Sequence, residues 1–157
     1  MHRILKADAS HLSLYGAHLK SLTDEDKVNR FGIRANDYTI DQLILSILYH
    51  HSNHLLWMME DNGDVVGWGH MAKDGDSWEL AVSVNKESQG KGFGSALIAE
   101  MLEWSKVNHV HEVYMHCIES NRIIQHLAAK HNLKTRERGA GERTAAMEIP
   151  EPSIIDI

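Results

Sequence analysis

Residues Leu80–Ser95 read LAVSVNKESQGKGFGS, an apolar run that leads into a turn with three alternating glycines. The run predicts a strand, and the segment behind the turn predicts a helix over about Gly92–Asn108. Glycine tolerates a positive φ and lets a ligand approach the backbone closely. The free N–H groups in the first turn of a helix carry partial positive charge. The segment therefore predicts a cradle for a phosphate or pyrophosphate.

Other glycine-rich phosphate motifs fit this turn less well. A Walker A loop needs Gly-Lys-Ser/Thr, and that tripeptide does not occur in the chain. A dinucleotide fingerprint that started at Gly90 would need a glycine where the chain has Ser95. That fingerprint also belongs to a βαβ unit, whereas antiparallel strands are predicted before this turn. A helix start without a ligand and a nucleotide-phosphate site stay open as alternatives.

Upstream of the turn, apolar runs and tight turns alternate as in a β-meander. Leu55–Glu60 and Val65–Lys73 flank the dipeptide Asn62-Gly63, and Trp78–Val84 follows a second turn. Asn-Gly between apolar runs is a strong hairpin signal. Three adjacent antiparallel strands are therefore predicted.

The N-terminal third predicts one strand and then helices. Arg3–Lys6 is the predicted strand, and Ser10 is predicted to cap the helix behind it. Thr23 opens a capping-box pattern for a short helix toward Phe31. Thr39 opens a second such pattern, followed by apolar residues at the spacing of an amphipathic helix.

Downstream of the long helix, Val110–Ile118 is predicted as a strand and Asn121–His131 as a helix. Leu133–Arg138 and Arg143–Ile149 are predicted as the last two strands. We write the order as β-α-α-β-β-β-α-β-α-β-β, an α/β (α+β) fold with a mixed sheet. We expect one domain over 1–149 and a loosely held tail over 150–157.

Composition limits the function classes. The chain has 157 residues with 22 Asp+Glu against 16 Lys+Arg, a formal net charge of −6. A general nucleic-acid binder would usually have the opposite sign. The single cysteine, Cys117, excludes a disulfide framework, and no apolar stretch approaches the roughly 20 residues that span a bilayer. We expect a cytoplasmic protein with neither nucleic-acid nor membrane partners.

Taken with this element order, Gln89-x-x-Gly92-x-Gly94 resembles the Q/R-x-x-G-x-G/A signature of the GNAT superfamily of acyl-CoA N-acyltransferases. Leu80–Val84 resembles the fourth strand of that family. Asn121 resembles the asparagine that often follows its fifth strand. The likeness covers roughly 3–149, because the whole order of elements agrees.

The resemblance implies a three-layer fold that binds acetyl-CoA where the fourth and fifth strands splay apart. Backbone groups of the fourth strand would meet the pantetheine arm together with the asparagine, and N–H groups of the glycine turn would hold the pyrophosphate. The residues that it implies for the cosubstrate are Val82, Ser83, Val84, Gln89, Gly90, Lys91, Gly92, Phe93, Gly94, Ser95 and Asn121.

The implied reaction moves an acetyl group to a primary amine of a small molecule, peptide or protein lysine. Leu22–Asp26 with Arg30-Phe31 has a weaker resemblance to the subgroup that contains protein-lysine acetyltransferases. The expected partners are a CoA thioester and an amine acceptor, with a homodimer as the expected assembly. Arg30 and Arg34 are candidates for contacting the acceptor.

Acyl transfer to an amine needs a base that takes the amine's proton. Glu79 is the candidate, because it lies on the strand that would meet the cosubstrate and shares a face with Ala81 and Ser83. Leu80 and Val82 would point to the other face. The alternative is a half-exposed strand glutamate that pairs with a lysine or arginine.

The usual general acid of the family is a tyrosine seven residues after the asparagine, and this chain has Ala128 there. Three explanations stay open. Another group, such as His116 or Cys117, protonates the leaving thiolate; the thiolate leaves into water; or the protein is a non-catalytic acyl-CoA sensor.

The chain has 12 histidines. His50 and His54 are four residues apart, but no cysteine or carboxylate completes a set of metal ligands nearby. The helix is also expected to end before His54. No metal site is therefore predicted.

Overall fold

The computed structural model describes residues 1–118, 121–139 and 142–149, without the side chains of 117–118, 135–139 and 142–144. In this part the strands are β1 His2–Ala7, β2 His54–Asp61, β3 Asp64–Asp74, β4 Ser77–Val84, β5 Glu112–Ile118, β6 Lys134–Gly139 and β7 Glu142–Glu148. The α-helices are α1 Leu12–Ser21, α2 Asp24–Phe31, α3 Asp37–Tyr49, α4 Phe93–Val107 and α5 Arg122–Lys130. The predicted tail, 150–157, lies outside the described residues.

The strands form one seven-stranded sheet in the order β1-β2-β3-β4-β5-β7-β6. Every neighbouring pair is antiparallel except β4 and β5, so the predicted mixed sheet is confirmed. The predicted hairpin is also confirmed, because β2 and β3 pair as antiparallel neighbours. In its turn, Asn62 and Gly63 both have positive φ, at 53° and 90°. Two positive φ angles are what a type I′ turn requires.

Helices cover both faces of the sheet. On one face α1 and α3 bury an apolar cluster that includes Tyr15, Ile40 and Trp68. On the other face α4 and α5 pack over a second cluster that includes Leu97 and Met101. The sheet and the helices on its two faces thus form three layers. β4 lies between the two clusters, with one face turned to each.

Three helices separate β1 from β2, where the predicted order had two. Thr23 caps α2 as predicted, but the other two predicted caps are wrong. Asp8 accepts the N–H of Ser10 and caps a short 3-10 turn, Ala9–His11, that leads into α1, while α1 itself has no side-chain cap. Asn36 accepts the N–H of Thr39, so α3 begins earlier than predicted. In each case an Asx residue two or three positions upstream is available, and these side chains are among the best N-caps.

Candidate functional site

The parallel ladder between β4 and β5 is short. It runs from Ser77–Glu112 to Glu79–Tyr114 and then stops, although β4 continues to Val84. In the described part of the chain, β4 and β5 are not paired with each other beyond this point, so the edge of β4 that faces β5 can offer backbone groups to a ligand. A cavity of about 440 Å³ occupies this fork, and we call it the cleft.

The cleft collects the residues that were predicted for the cosubstrate. Of the eleven predicted residues, ten line it, and the exception is Lys91, whose side chain is exposed. Glu79 and His116 line it as well. Sequence reasoning missed the lining side chains of α2, apart from Arg30.

Backbone conformation explains two glycines of the turn. Gly90 and Gly92 have φ of +82° and +84°, a region that L side chains rarely adopt. No atom lies within 4 Å of the place where a Cβ of either residue would be, so packing does not require glycine there. Gly92 is also the N-cap of α4, and no side chain caps that helix. The first-turn N–H groups of α4 are therefore free beside the cleft.

The side chain of Gln89 fastens the glycine turn to two other elements. Its Nε2 donates to the carbonyl of Val84, 3.0 Å away, and to the Asp26 carboxylate, 3.1 Å away. One bond reaches β4 and the other reaches α2. Gln89 thus positions the turn through its side chain.

Asn121 lies on the opposite side of the cleft, at the start of α5. Its Oδ1 accepts the N–H of Ile124 at 3.2 Å, which caps the helix and leaves the amide N–H₂ as the donor group of the side chain. Ile124 and Leu127 line the cleft beside it. A Cβ on Gly94 would contact Leu127 Cδ1 at 3.5 Å, so α4 and α5 meet closely here.

Ala128, in the position of the expected tyrosine, is fully buried and belongs to the core between α5 and the sheet. It does not line the cleft. Of the two β5 residues considered as replacement acids, His116 is exposed and lines the cleft. The side chain of Cys117 lies outside the described residues.

Glu79 belongs to the last residue pair before the strands diverge. Its side chain is half-buried, and it lines the cleft on the same face of β4 as Ser83. In the part of the chain that the structure describes, no lysine or arginine nitrogen lies within 4.0 Å of its carboxylate. The alternative of a structural ion pair therefore has no support there.

A buried histidine connects β4 to α1. His18 has 8% of its surface exposed, and its Nδ1 and Nε2 lie 2.9 Å from Asn85 Oδ1 and 2.8 Å from Ser83 Oγ. Nδ1–H donates to the amide oxygen, and Nε2 accepts from the hydroxyl. Burial lowers the pKa of His18 to about 4, a bond to Asn85 opposes the shift, and the charge of Arg30 adds to it. The imidazole is therefore neutral at physiological pH.

A second buried histidine lies deeper on the same face. The Nδ1 of His70 is 3.2 Å from Tyr15 Oη and 3.3 Å from Arg30 Nη2, and its Nε2 is 3.0 Å from His54 Nδ1. A guanidinium only donates, so Nδ1 accepts and the ring is neutral. Burial holds the pKa of His70 well below its usual value, and the charges of Arg30 and His54 lower it further.

His54 is therefore part of a polar network. Nothing local in the sequence could have found it, because His54, His70 and Tyr15 come from three separate elements. Of the two arginines considered for the acceptor, Arg30 lines the cleft. Arg34 is exposed outside the cleft and pairs with Asp24 at 3.6 Å.

In the described residues, no group of three His, Cys, Asp or Glu side chains is arranged to hold a metal ion. None of the helices described is both long and apolar enough to cross a membrane.

Comparison with known proteins agrees with this architecture. Residues 17–132 match the family model of the acetyltransferase (GNAT) family. No curated protein sequence matches the chain.

Solved structures share the fold at low sequence identity. The GNAT domain of S. lividans PAT has a TM-score of 0.79 at 14% identity, over 94% of this chain and 90% of that one. Spermidine N-acetyltransferase from Vibrio cholerae, in complex with CoA and spermine, has a TM-score of 0.73 at 17% identity, over 94% of each chain. PaiA N-acetyltransferase from Thermoplasma acidophilum, in complex with coenzyme A, has a TM-score of 0.73 at 15% identity, over 94% and 99%.

Proposed function

Because the chain belongs to the acetyltransferase (GNAT) family, we propose that it transfers an acetyl group from acetyl-CoA to a primary amine. The observation that carries the proposal is the fork between β4 and β5. Its diverging strand edges and the glycine turn line one continuous cleft, with Glu79 where the strands part.

In this proposal the cosubstrate binds mainly to backbone. N–H groups from Gly90 to Ser95 hold the pyrophosphate, helped by the partial charge at the start of α4. Backbone groups of Val82–Val84 and the amide of Asn121 hydrogen-bond the pantetheine arm. The thioester then lies toward Glu79, at the narrow end of the fork.

The reaction proceeds by direct transfer. Glu79 takes a proton from the amine, directly or through water, and the nitrogen attacks the thioester carbon. Free N–H groups on the edge of β4 stabilise the negative charge that develops on the thioester oxygen. The new C–N bond forms, the C–S bond breaks, and His116 gives a proton to the departing thiolate.

The direct test is release of CoA thiol from acetyl-CoA in the presence of a panel of primary amines. We expect amine-dependent release, together with a rise in melting temperature on addition of CoA. The buried Ala128 favours a second candidate, a non-catalytic acyl-CoA sensor. Tight acetyl-CoA binding without thiol release on any amine would support that sensor. Stabilisation by ATP or NAD but not by CoA would contradict both functions.

A further inference from the structure

One cation of the cleft has no anionic partner. In the described part of the chain, no carboxylate oxygen lies within 4.0 Å of the Arg30 guanidinium. Its Nη2 donates to Tyr15 Oη at 3.1 Å and approaches His70 Nδ1 at 3.3 Å, and both partners are neutral. Its Nε is buried without a hydrogen-bond partner, and no described residue accepts a bond from Nη1.

The carboxylate that could neutralise Arg30 is engaged elsewhere. Asp26 precedes Arg30 by four residues on α2, a spacing at which an ion pair normally forms. Its carboxylate instead accepts a bond from Gln89 in the glycine turn. Both side chains line the cleft, yet they are not paired.

The guanidinium is also held in place. Tyr15 fixes one end, and the carbon centre of the guanidinium lies 4.8 Å from the centroid of the Phe31 ring. Burial lowers the pKa values of His18 and His70, and the charge of Arg30 adds to both shifts, so these neighbours stay neutral and do not compete with Arg30 for an anion. A fixed, partly buried cation without a counter-ion is costly unless a ligand supplies the negative charge.

We propose that Arg30 binds an anionic group of the acceptor, so that the acceptor is an amine that also carries a carboxylate. The inference rests on the proposed function. Glu79 and Arg30 both line the cleft and carry opposite charges, which suits a zwitterion such as a free amino acid. A polyamine would bring a further positive charge toward Arg30 and is disfavoured.

The test compares amino acids with their carboxamides as acceptors, because the carboxamide keeps the size of the carboxylate and removes its negative charge. The side-chain amine of lysine is the cleanest case, since it lies far from the group that is changed. We measure kcat/KM by thiol release for lysine, alanine and glutamate and for the carboxamide of each α-carboxylate. The wild type should prefer the free carboxylate by at least about tenfold, the range of a hydrogen bond between charged groups. Arg30→Met should lose that preference, and Arg30→Lys should retain part of it, because lysine keeps the charge without the planar fork.

Two measurements separate the carboxylate from other roles of Arg30. Arg34→Met is the matched control and should keep the full preference, because Arg34 lies outside the cleft. The affinity for CoA should be unchanged in Arg30→Met. A tenfold loss of CoA affinity would mean that a CoA phosphate is the anion, and it would overturn the inference.

The remaining outcomes are distinct. If the wild type acetylates carboxamides or spermidine as well as the free acids, the inference is wrong and the proposed function stands. An acid preference that persists in both Arg30 variants also overturns it. If CoA binds but no amine of either kind is acetylated, the proposed function fails and the inference fails with it. Should Arg30→Met not fold, the wild-type preference and Arg30→Lys still decide.

Discussion

The two walls of the cleft are built by different means. The glycine wall, Gly90–Ser95, offers backbone N–H groups at a helix start, and no side chain caps them. The histidine wall consists of Arg30, which lines the cleft, and of Tyr15, His18 and His70, which are buried behind the lining. Tyr15 and His70 contact Arg30, and His18 contacts Ser83 of the lining. One wall is a fixed pattern of donors, and the other is a polar network whose pieces come from separate elements.

The difference indicates which part of the bound ligands each wall is suited to bind. Backbone donors survive most substitutions, so they suit a ligand part that is the same in every turnover, such as a pyrophosphate. Side chains change with each substitution, so they suit the part of a site that selects an acceptor. Glu79 lies at the narrow end of the cleft, where the thioester and the acceptor would meet.

Glu79 should be the most sensitive position of the cleft. Glu79→Gln keeps the shape of the side chain but removes the base, and we expect kcat to fall by about 10²-fold or more at neutral pH, as for loss of a general base. Glu103→Gln, an exposed change on α4, should leave kcat unaltered. Thiol-release assays across pH 6–9 measure both variants. An unchanged kcat for Glu79→Gln over that whole range would remove Glu79 from the chemistry.

Substitutions in the glycine wall should change the affinity for the cosubstrate rather than kcat. Gly92→Ala forces an L residue to a φ of +84°, and we expect CoA affinity to fall by about tenfold as the turn shifts to relieve a strain of about 1–2 kcal/mol.

A matched control separates strain from binding. Gly75 also has a positive φ, +59°, in the hairpin between β3 and β4, and it is outside the cleft lining. Gly75→Ala should lower the melting temperature much as Gly92→Ala does, but leave CoA affinity unchanged. Equal CoA affinity in both variants would contradict a role of the glycine wall in binding.

The glycine wall could be predicted because its residues are contiguous. The signature, the strand before it and the helix behind it all lie within 80–107, and each has a local physical signal. Alternation along β4 likewise placed Glu79 and Ser83 on one face. Lys91 is the one predicted cosubstrate residue that does not line the cleft, and a lysine between two glycines carries no local signal of which way its side chain points.

The histidine wall could not be predicted for the opposite reason. Tyr15 and His70 are 55 residues apart, and His18 and Ser83 are 65 apart. They are brought together only by the packing of α1 against the sheet. The sequence near one residue of each pair contains no signal of the other. The scattered histidines of the sequence therefore give no hint that two of them are buried under one cleft.

The histidine wall should make stability depend on pH. The pKa of His18 is lowered from 6.5 to about 4 in the folded protein, so the unfolded chain binds the proton first as pH falls. The contribution of His18 to the free energy of unfolding is thus fully present above about pH 6.5 and is lost as the pH falls toward about 4. We expect the free energy of unfolding to fall by about 1 kcal/mol between pH 7.5 and 5.5 from this residue.

Urea unfolding at the two pH values measures this loss. His18→Gln should reduce the pH dependence, because an amide can hydrogen-bond Ser83 and Asn85 without titrating. His109→Gln, an exposed change after α4, should keep the wild-type slope. If the His18 variant has the wild-type slope too, that histidine is not held neutral by burial. Water would then reach the histidine wall far more readily than its contacts indicate.

The smallest effect is expected at His116, which lines the cleft on β5 and in the proposed reaction gives a proton to the thiolate. A thiol has a pKa near 8.5, so its anion is a moderate leaving group even without help. His116→Ala should therefore lower kcat only about threefold, a modest loss for a general acid, while the KM for acetyl-CoA stays unchanged. His111→Ala, exposed just before the same strand, is the control. An unaltered kcat would show that the thiolate leaves into water. A raised KM for acetyl-CoA would instead show that His116 belongs to the binding surface of the cosubstrate. The cosubstrate would then be recognised by a side chain as well as by backbone, which would contradict the division between the two walls.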